Sequence, residues 1–470
     1  MKIKANYQRH PVARFCDNPL TEALFIAYDK TSIIEAASNS PCVKNFWDLH
    51  EVYQFSLLQG LHRTHIPNPR FYYLYCKFMS FLLDTYSSRN PFIPENVRKK
   101  HALAEAFRKN DEKFLDTVTP LQHIAASMVV HGLTGTGKTS AIRMVLKCIP
   151  QVIEHESYHG RVYRQKQLVW ISMDMPTTAS VKALALNFFK AVDAALEDTE
   201  YHKEWSKKDH GSIEKHLNAM ALVASNHELG LVHIDELQFL LKYANTSSAP
   251  TLQMLDGLFN KIGTPMVLSC TTHGLKVFLP DRRSDTTLES DMTTVRRALS
   301  DRLVHFKQLE IDGDYFISLF GQLFSSNLIH SSITIDNKFM AQFHYYTCGL
   351  PALMTRLALL FHEVVVQYAS KEKGKVPSTM TILKSVYKEQ FSLIEPALRQ
   401  LRVNQPEPYE EGLLESDDGK AKYTNKEKTT APGKKKKAQK AILKGGMYDS
   451  HLANELLLWD DPNNNAQEQL

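Results

Sequence analysis

No stretch of 18 or more uncharged apolar residues occurs in this 470-residue chain. The nearest approach, Phe71 to Tyr86, carries Lys77 and Asp84, so no membrane span is expected. The N-terminus, M-K-I-K-A-N-Y-Q-R-H-P, lacks the apolar run of a secretion signal. Cysteine is sparse: Cys16, Cys42, Cys76, Cys148, Cys270 and Cys348 lie at least 26 residues apart. That spacing excludes both a C-x-x-C metal pattern and a small disulfide framework, and fits reduced thiols in a cytosolic protein. Charge of one sign is not in excess either. With 56 basic and 51 acidic residues, the net charge of +5 permits a local nucleic-acid patch without arguing for one. No internal repeat of fixed period is found. What is present, 43% hydrophobic and 23% charged residues, excludes disordered, collagenous and fibrous classes. The length exceeds one compact core and predicts about two to four units.

Texture divides the chain into four stretches. Residues 1–120 are rich in aromatics and histidines, with Pro67, Pro69, Pro91 and Pro94 bracketing a helix expected near Phe71 to Tyr86. From 121 to 310, short β-branched runs alternate with longer helical patterns, the signature of an α/β domain with a parallel sheet. From 311 to 402 a 3.6-residue period dominates, as in Pro351-Ala352-Leu353-Met354 through Leu357, Leu360 and Phe361, which predicts a helical unit. Residues 403–470 are polar, include Lys434 to Lys437, and are expected to form a disordered tail. The lysine run reads as a solvated linker rather than a specific nucleic-acid contact. Near the end, Leu452, Leu456, Leu457, Leu458 and Trp459 form an apolar cluster beside Asp460 and Asp461. It either docks into a partner's groove or packs back on its own domain.

The strongest signal is Gly132-Leu133-Thr134-Gly135-Thr136-Gly137-Lys138-Thr139, a full G-x-x-x-x-G-K-[ST] match. Ala126 to Val130 before it read as a strand, and Ser140 to Cys148 after it as a helix ended by Pro150. The three glycines let successive N–H groups turn inward, forming a nest for a β-phosphate at a helix N-terminus. Residues 132–140 are therefore the expected ATP-binding set: Gly132, Leu133, Thr134, Gly135, Thr136, Gly137, Lys138, Thr139 and Ser140. Lys138 would neutralise β/γ-phosphate charge, and the Thr139 hydroxyl would coordinate Mg²⁺.

Such a loop calls for an acidic strand. About 97 residues after Lys138, Leu229-Gly230-Leu231-Val232-His233-Ile234 ends in Asp235-Glu236. At the C-terminal end of a parallel strand, Asp235 would hold the Mg²⁺ shell and Glu236 would orient and polarise the attacking water. His233, on the opposite face from Ile234, reads as a packed core histidine. Pro265 to Thr271 reads as a further buried strand, separated from the acidic one by a helix-sized segment, Leu252 to Ile262. In ATPases of the AAA+ type such a strand ends in a polar residue that helps place the water. Thr271 stands there, with Thr272 beside it, and the alternative is a satisfied strand-end hydroxyl.

These stretches, with Val181-Lys182-Ala183-Leu184 and Asn187-Phe188-Phe189, together resemble the TnsC/TniB family of AAA+ ATPases, regulators of target-selecting bacterial transposons. The resemblance extends to Asp17-Asn18-Pro19-Leu20-Thr21-Glu22-Ala23-Leu24, to His62 to Pro67 and to Val386 to Arg399, so it covers about 1–402. It implies an AAA+ P-loop NTPase of α/β class, with an N-terminal partner-binding region, a parallel sheet and a helical lid. It further implies a bacterial cytoplasmic matchmaker that forms a homo-oligomeric ring or filament with ATP around duplex DNA. Such an assembly links a target-selection protein to the transposase and is reset by hydrolysis.

Residue by residue, the resemblance implies an arginine reaching a neighbour's γ-phosphate. Arg296 and Arg297 are the best candidates, followed by Arg302 and then Arg282 and Arg283, and the alternative is a solvated helix. Arg356, in Gly349 to Arg356, would be a second sensor in the lid. Thr178, Ser180 and Lys182 would be DNA-phosphate contacts, since hydroxyls and ammonium groups follow a backbone without reading bases. Lys182 fits a surface lysine on an amphipathic helix equally well. The stretch Glu200 to His216, with Lys203, Lys207, Lys208 and Lys215, is a weaker basic candidate because Glu204, Asp209 and Glu214 alternate with them. An insertion, His155 to Arg164, is expected to lengthen the loop after the P-loop helix; Glu154, His155, Glu156 and His159 are not set on a helix as the zinc-binding H-E-x-x-H requires, and Gly160 follows immediately, so no metal site is expected. Two other functions remain open: a replication-type AAA+ loader, which would need a C-terminal winged helix that the polar tail does not encode, and an ATP-binding switch with little hydrolysis.

Overall fold

The structure is a computed structural model that describes the chain except for residues 27–28, 41–44, 110–125, 208–211, 243–249, 279–302, 371–375, 405, 407–408 and 410–470. Contacts gather the chain into two compact units. The first comprises the described residues of Met1–Ala37, Pro67–Gly132 and Lys138–Phe306; the second comprises the described residues of Ser38–Ile66, Leu133–Gly137 and those from Lys307 to Tyr409. This partition runs across the four textural stretches. Residues 1–37 and the described part of 67–120 pack with the sheet, whereas 38–66 pack with the later helices.

In the first unit, β1 (Lys2–Lys4) and seven further strands follow in chain order: β2 (Ser127–Gly132), β3 (Val152–Tyr158), β4 (Arg161–Leu168), β5 (Trp170–Asp174), β6 (Leu231–Asp235), β7 (Met266–Cys270) and β8 (Leu303–Phe306). Five form one sheet in the order β5-β6-β7-β2-β8, every neighbouring pair parallel. From β2 the chain crosses to the far edge, returns through β6 and β7, and then places β8 on the other side of β2. That reversal beside β2 marks where ligands bind in open α/β sheets, at the strands' carboxyl ends.

The strands are short apolar runs because both faces are covered. On one face Val129, Ile171, Met173, Val232, Ile234 and Leu268 share a core with helices Val181–Leu196, Ile213–Asn226 and Leu252–Ile262. On the other, Met128, Val130, Leu231, Val267, Val304 and Phe306 pack with helices Phe71–Ser87 and Lys138–Lys147. Alternate residues on each strand thus serve opposite layers. Hydroxyl N-caps start the covering helices: Ser180, Ser212 and Thr251 each accept a backbone N–H three residues on.

The insertion His155 to Arg164 is a correction to the sequence reading. It is not an extended loop but most of an antiparallel hairpin of β3 and β4, to which β1 adds in parallel. Its tip residues His159 and Gly160 have φ of 48° and 76°, the two positive values of a type I′ turn.

The second unit is helical. Asp314–Leu323, Asn337–Thr347, Pro351–Ala369, Thr379–Gln390 and Glu395–Arg402 enclose a core rich in phenylalanine: Phe316, Phe320, Phe324, Phe339, Phe343 and Phe361. Leu58 and Leu61, from 38–66, and Leu133 join the same core. Among the described residues, no helix is long and apolar enough to cross a membrane.

Candidate nucleotide site

Gly132 ends β2, and Lys138 begins the helix that covers the sheet's inner face. A Cβ at Gly132 would collide with the Phe306 carbonyl oxygen, so β2 and β8 approach here as only glycine permits. Gly135 and Gly137 both have φ of 87°, which L side chains rarely adopt, and a Cβ on Gly137 would meet nothing within 4 Å. The space beside Gly137 is therefore open, while a Cβ on Gly135 would press on Ala352 at 3.3 Å. Within the helical unit, the Ala352 N–H donates to Gly135 O at 3.1 Å and the Tyr409 hydroxyl donates to Thr134 O at 3.4 Å. The Thr136 hydroxyl donates to Leu133 O at 2.7 Å, closing the loop on itself.

Lys138 is buried, and its Nζ donates to Gly132 O at 2.8 Å. The ammonium thus rests on the Gly132 carbonyl at the end of β2. Thr139 is half-buried and its hydroxyl hydrogen-bonds the Asp235 carboxylate, while Ser140 is exposed. Asp235 is the last residue of β6 and is buried. Its Oδ1 accepts from the Glu236 N–H at 2.9 Å and from the Ser269 hydroxyl. Burial alone would raise its pKa, but His233, Ser269, Thr139 and the Glu236 amide together hold it below the usual carboxylate value. Thr139, Lys138 and Asp235 therefore suit a divalent cation and a polyphosphate: hydroxyl and carboxylate oxygens for the metal, ammonium and amides for the anion.

Glu236 has φ of 59°, the left-handed region, which turns its side chain out of the strand direction. Burial first, and then Asp235 beside it, raise its pKa above that of an ordinary glutamate. The Gln238 side-chain amide donates to its Oε2, and Gln238 Oε1 in turn accepts the Thr271 N–H at 3.3 Å. Thr271 lies one residue past β7, buried, and its hydroxyl accepts the Gly274 N–H at 3.0 Å. It thus fills the expected place while also serving as a satisfied strand-end hydroxyl.

Four groups at the site had no role assigned from the sequence. Arg143, on the helix after the P-loop, reaches Asp174 Oδ1 at 3.0 Å and lies 3.9 Å from Asp235 Oδ2. Asp174 ends β5 directly opposite Asp235 in the register, so the two carboxylates share one edge of the sheet. Gln238 and Ser269 complete the set. Only Asp174 had a sequence signal, an acid at the end of an apolar run, like Asp235.

Other expected residues lie elsewhere. Ser180 caps its helix through Oγ, accepting the Ala183 N–H at 3.4 Å, with Thr178 exposed two residues before it and Lys182 in the first turn. Lys203 pairs with Glu200 at 2.7 Å. In the helical unit, Arg356 is exposed one turn beyond Ala352, with its guanidinium 5.7 Å from the Phe391 ring centroid. Arg282, Arg283, Arg296, Arg297, Arg302, Lys208, Asp209 and the apolar cluster at 452–459 lie outside the described residues.

The glycine-rich turn, the lysine and the acidic strand end on a parallel sheet define a P-loop NTPase of α/β class. Residues 122–278 match the family described as AAA domain, and this part of the chain is an AAA-type ATPase domain. No curated protein matches the chain. Among solved structures, a Walker-type ATPase of Pyrococcus abyssi is similar at 14% identity, over 64% of this chain and 76% of its own, with a TM-score of 0.34. Cdc6p of Pyrobaculum aerophilum is similar at 11% identity over 62% and 66%, with a TM-score of 0.31. Drosophila ORC bound to DNA is similar at 9% identity over 80% and 91%, with a TM-score of 0.33.

Proposed function

We propose that this protein hydrolyses ATP with Mg²⁺ and uses the ATP-bound state to assemble on duplex DNA. The observation that carries the first half is the meeting of Lys138, Thr139, Asp235 and Glu236 at the carboxyl ends of β2 and β6. Gly132 to Ser140 would cradle the phosphates, with Lys138 leaving Gly132 O for the β/γ-phosphate oxygens. Thr139 and Asp235 would hold Mg²⁺, which supplies positive charge to the phosphate oxygens when bound. Glu236, freed from Gln238, would orient the attacking water and draw off its proton, a role that its raised pKa suits. Thr271 would steady that water. Arg296 or Arg297 of a neighbouring copy would stabilise charge on the γ-phosphate, and Arg356 would act as the lid's sensor.

The second half rests on the sequence stretches that resemble those of transposition regulators of the TnsC/TniB kind. On that reading the protein is a homo-oligomeric matchmaker between a target-selection protein and a transposase, in the bacterial cytoplasm. Residues 1–120 receive partners, 121–310 bind nucleotide, 311–402 act as lid, and 403–470 carry a transposase-docking peptide. Thr178, Ser180 and Lys182 follow the DNA backbone without reading bases.

Sedimentation of the full chain with duplex DNA tests this, without nucleotide, with ADP and with a non-hydrolysable ATP analogue. Large DNA-bound assemblies confined to the analogue, weakening steeply with salt, are the expected result. A monomer indifferent to nucleotide and DNA would overturn the assembly half.

A further inference from the structure

On the sheet face covered by the P-loop helix, three polar side chains line up across adjacent strands among the mostly apolar neighbours. Ser172 on β5, His233 on β6 and Ser269 on β7 all point to the side covered by the P-loop helix, as their positions in the strand alternation require. Ser172 and His233 are direct register partners. The His233 ring is fully buried, its Nδ1 lying 2.9 Å from Ser172 Oγ and its Nε2 3.0 Å from Ser269 Oγ. Ser269, also fully buried, hydrogen-bonds Asp235 Oδ1. Three adjacent strands thus each contribute one polar group to a continuous chain that ends on the proposed metal-holding carboxylate.

The direction of every link follows from what each group can donate. An ionised Asp235 only accepts, so Ser269 donates its single hydroxyl proton to Oδ1. Ser269 Oγ then accepts from His233, which places the imidazole proton on Nε2. Nδ1 is left as an acceptor and takes the Ser172 hydroxyl proton. Each buried polar atom on the line has a partner, and the order admits one tautomer.

We infer that Ser172, His233 and Ser269 form a positioning relay that fixes Asp235 through Oδ1 and thereby presents Oδ2 to the cation. The relay touches neither nucleotide nor metal, and it acts only through the orientation of Asp235. Oδ2 points away from the relay, toward the side where Arg143 stands 3.9 Å off. Outer partners of a metal-holding group commonly change metal affinity by about 10- to 100-fold when removed. The inference rests on the reading of Asp235 as a Mg²⁺ holder.

Its test uses the full chain and two readouts. Electron paramagnetic resonance of Mn²⁺, added with a non-hydrolysable ATP analogue, measures metal affinity directly. Ser269→Ala is expected to weaken Mn²⁺ binding by about 10-fold or more. Analogue binding without metal should stay at the wild-type level, and Ser269→Thr, which keeps the hydroxyl, should restore metal affinity. If Ser269→Ala does not fold, Ser269→Cys keeps the volume with a weaker donor and should shift affinity in the same direction. Nitrogen-15 NMR of the metal-free protein, with the His233 signal assigned by its loss in His233→Gln, should show the Nε2–H tautomer. Equal Mn²⁺ affinity in folded wild type and Ser269→Ala, or an Nδ1–H tautomer, would overturn the relay alone. A wild type that binds no Mn²⁺ with the analogue would overturn the functional reading and the relay with it.

Discussion

Glu236 is the residue on which turnover is expected to hinge. Its left-handed φ and its burial beside Asp235 cost stability that an ordinary strand-end residue would not carry, and such strain is common at functional sites. Glu236→Gln keeps the shape and the hydrogen bond from Gln238 but removes the base. It is expected to lower kcat by roughly two to four orders of magnitude while leaving ATP and DNA affinity unchanged. Steady-state hydrolysis together with nucleotide binding checks this, and surviving turnover would remove Glu236 from the water-activating role. Lys138→Ala should act differently. Loss of the ammonium that now rests on Gly132 O removes phosphate affinity, so binding of a fluorescent ATP analogue should fall at least about 10-fold before chemistry is considered.

The fold turns on elements whose ends are set locally. Helix Asn337–Thr347 ends with Cys348 at φ 51° and Gly349 at φ 64°, and the next helix starts two residues later at Pro351. At Gly349 the chain passes so close to Leu309 that a Cβ would collide with the Leu309 carbonyl oxygen, while the Leu309 N–H donates to Gly349 O at 2.9 Å. Gly349→Ala should therefore destabilise the helical unit by about 1–3 kcal/mol, read as a lower urea midpoint at unchanged slope. Boundaries that depend on local chemistry were legible. Leu252–Ile262 has the expected limits because Thr251 caps it, and Pro351 opens its helix at the position where proline lacks a needed donor. The β3–β4 hairpin was not, because its polar and apolar residues alternate without the β-branched richness that marks a strand, and β1, which pairs with β3, lies far earlier in the sequence.

Across the molecule, buried histidines predict how stability responds to acid. His362 is fully buried, its Nε2–H donates to Leu323 O at 2.9 Å, and burial lowers its pKa to about 4. Burial lowers His344 as well, despite the opposing hydrogen bond to Leu309 O. Between about pH 6.5 and 4 the unfolded chain binds protons that these native rings refuse, so stability is full above 6.5 and falls as pH drops through that window. Urea midpoints should decline from pH 7 to 5, and His362→Gln should flatten part of the decline. An unchanged slope in that variant would show that His362 does not titrate in this way.

The P-loop, the acidic strand and the parallel α/β sheet were written in short contiguous motifs, since phosphate binding needs consecutive amides and a strand's end needs neighbouring carboxylates. By itself the sequence thus determined the class of the fold, and it offered Gly132 to Thr139, Asp235 and Glu236 as the candidate site. Tertiary structure alone decided that 38–66 join the helical unit and that Arg143, Asp174, Gln238 and Ser269 gather around Asp235 and Glu236. It also decided that His233, which the sequence marked as a packed core residue, is a hydrogen-bonded link to Asp235. Those relations join strands that lie far apart in the chain, and spacing along a sequence carries no record of which strands become neighbours until the sheet order β5-β6-β7-β2-β8 is set.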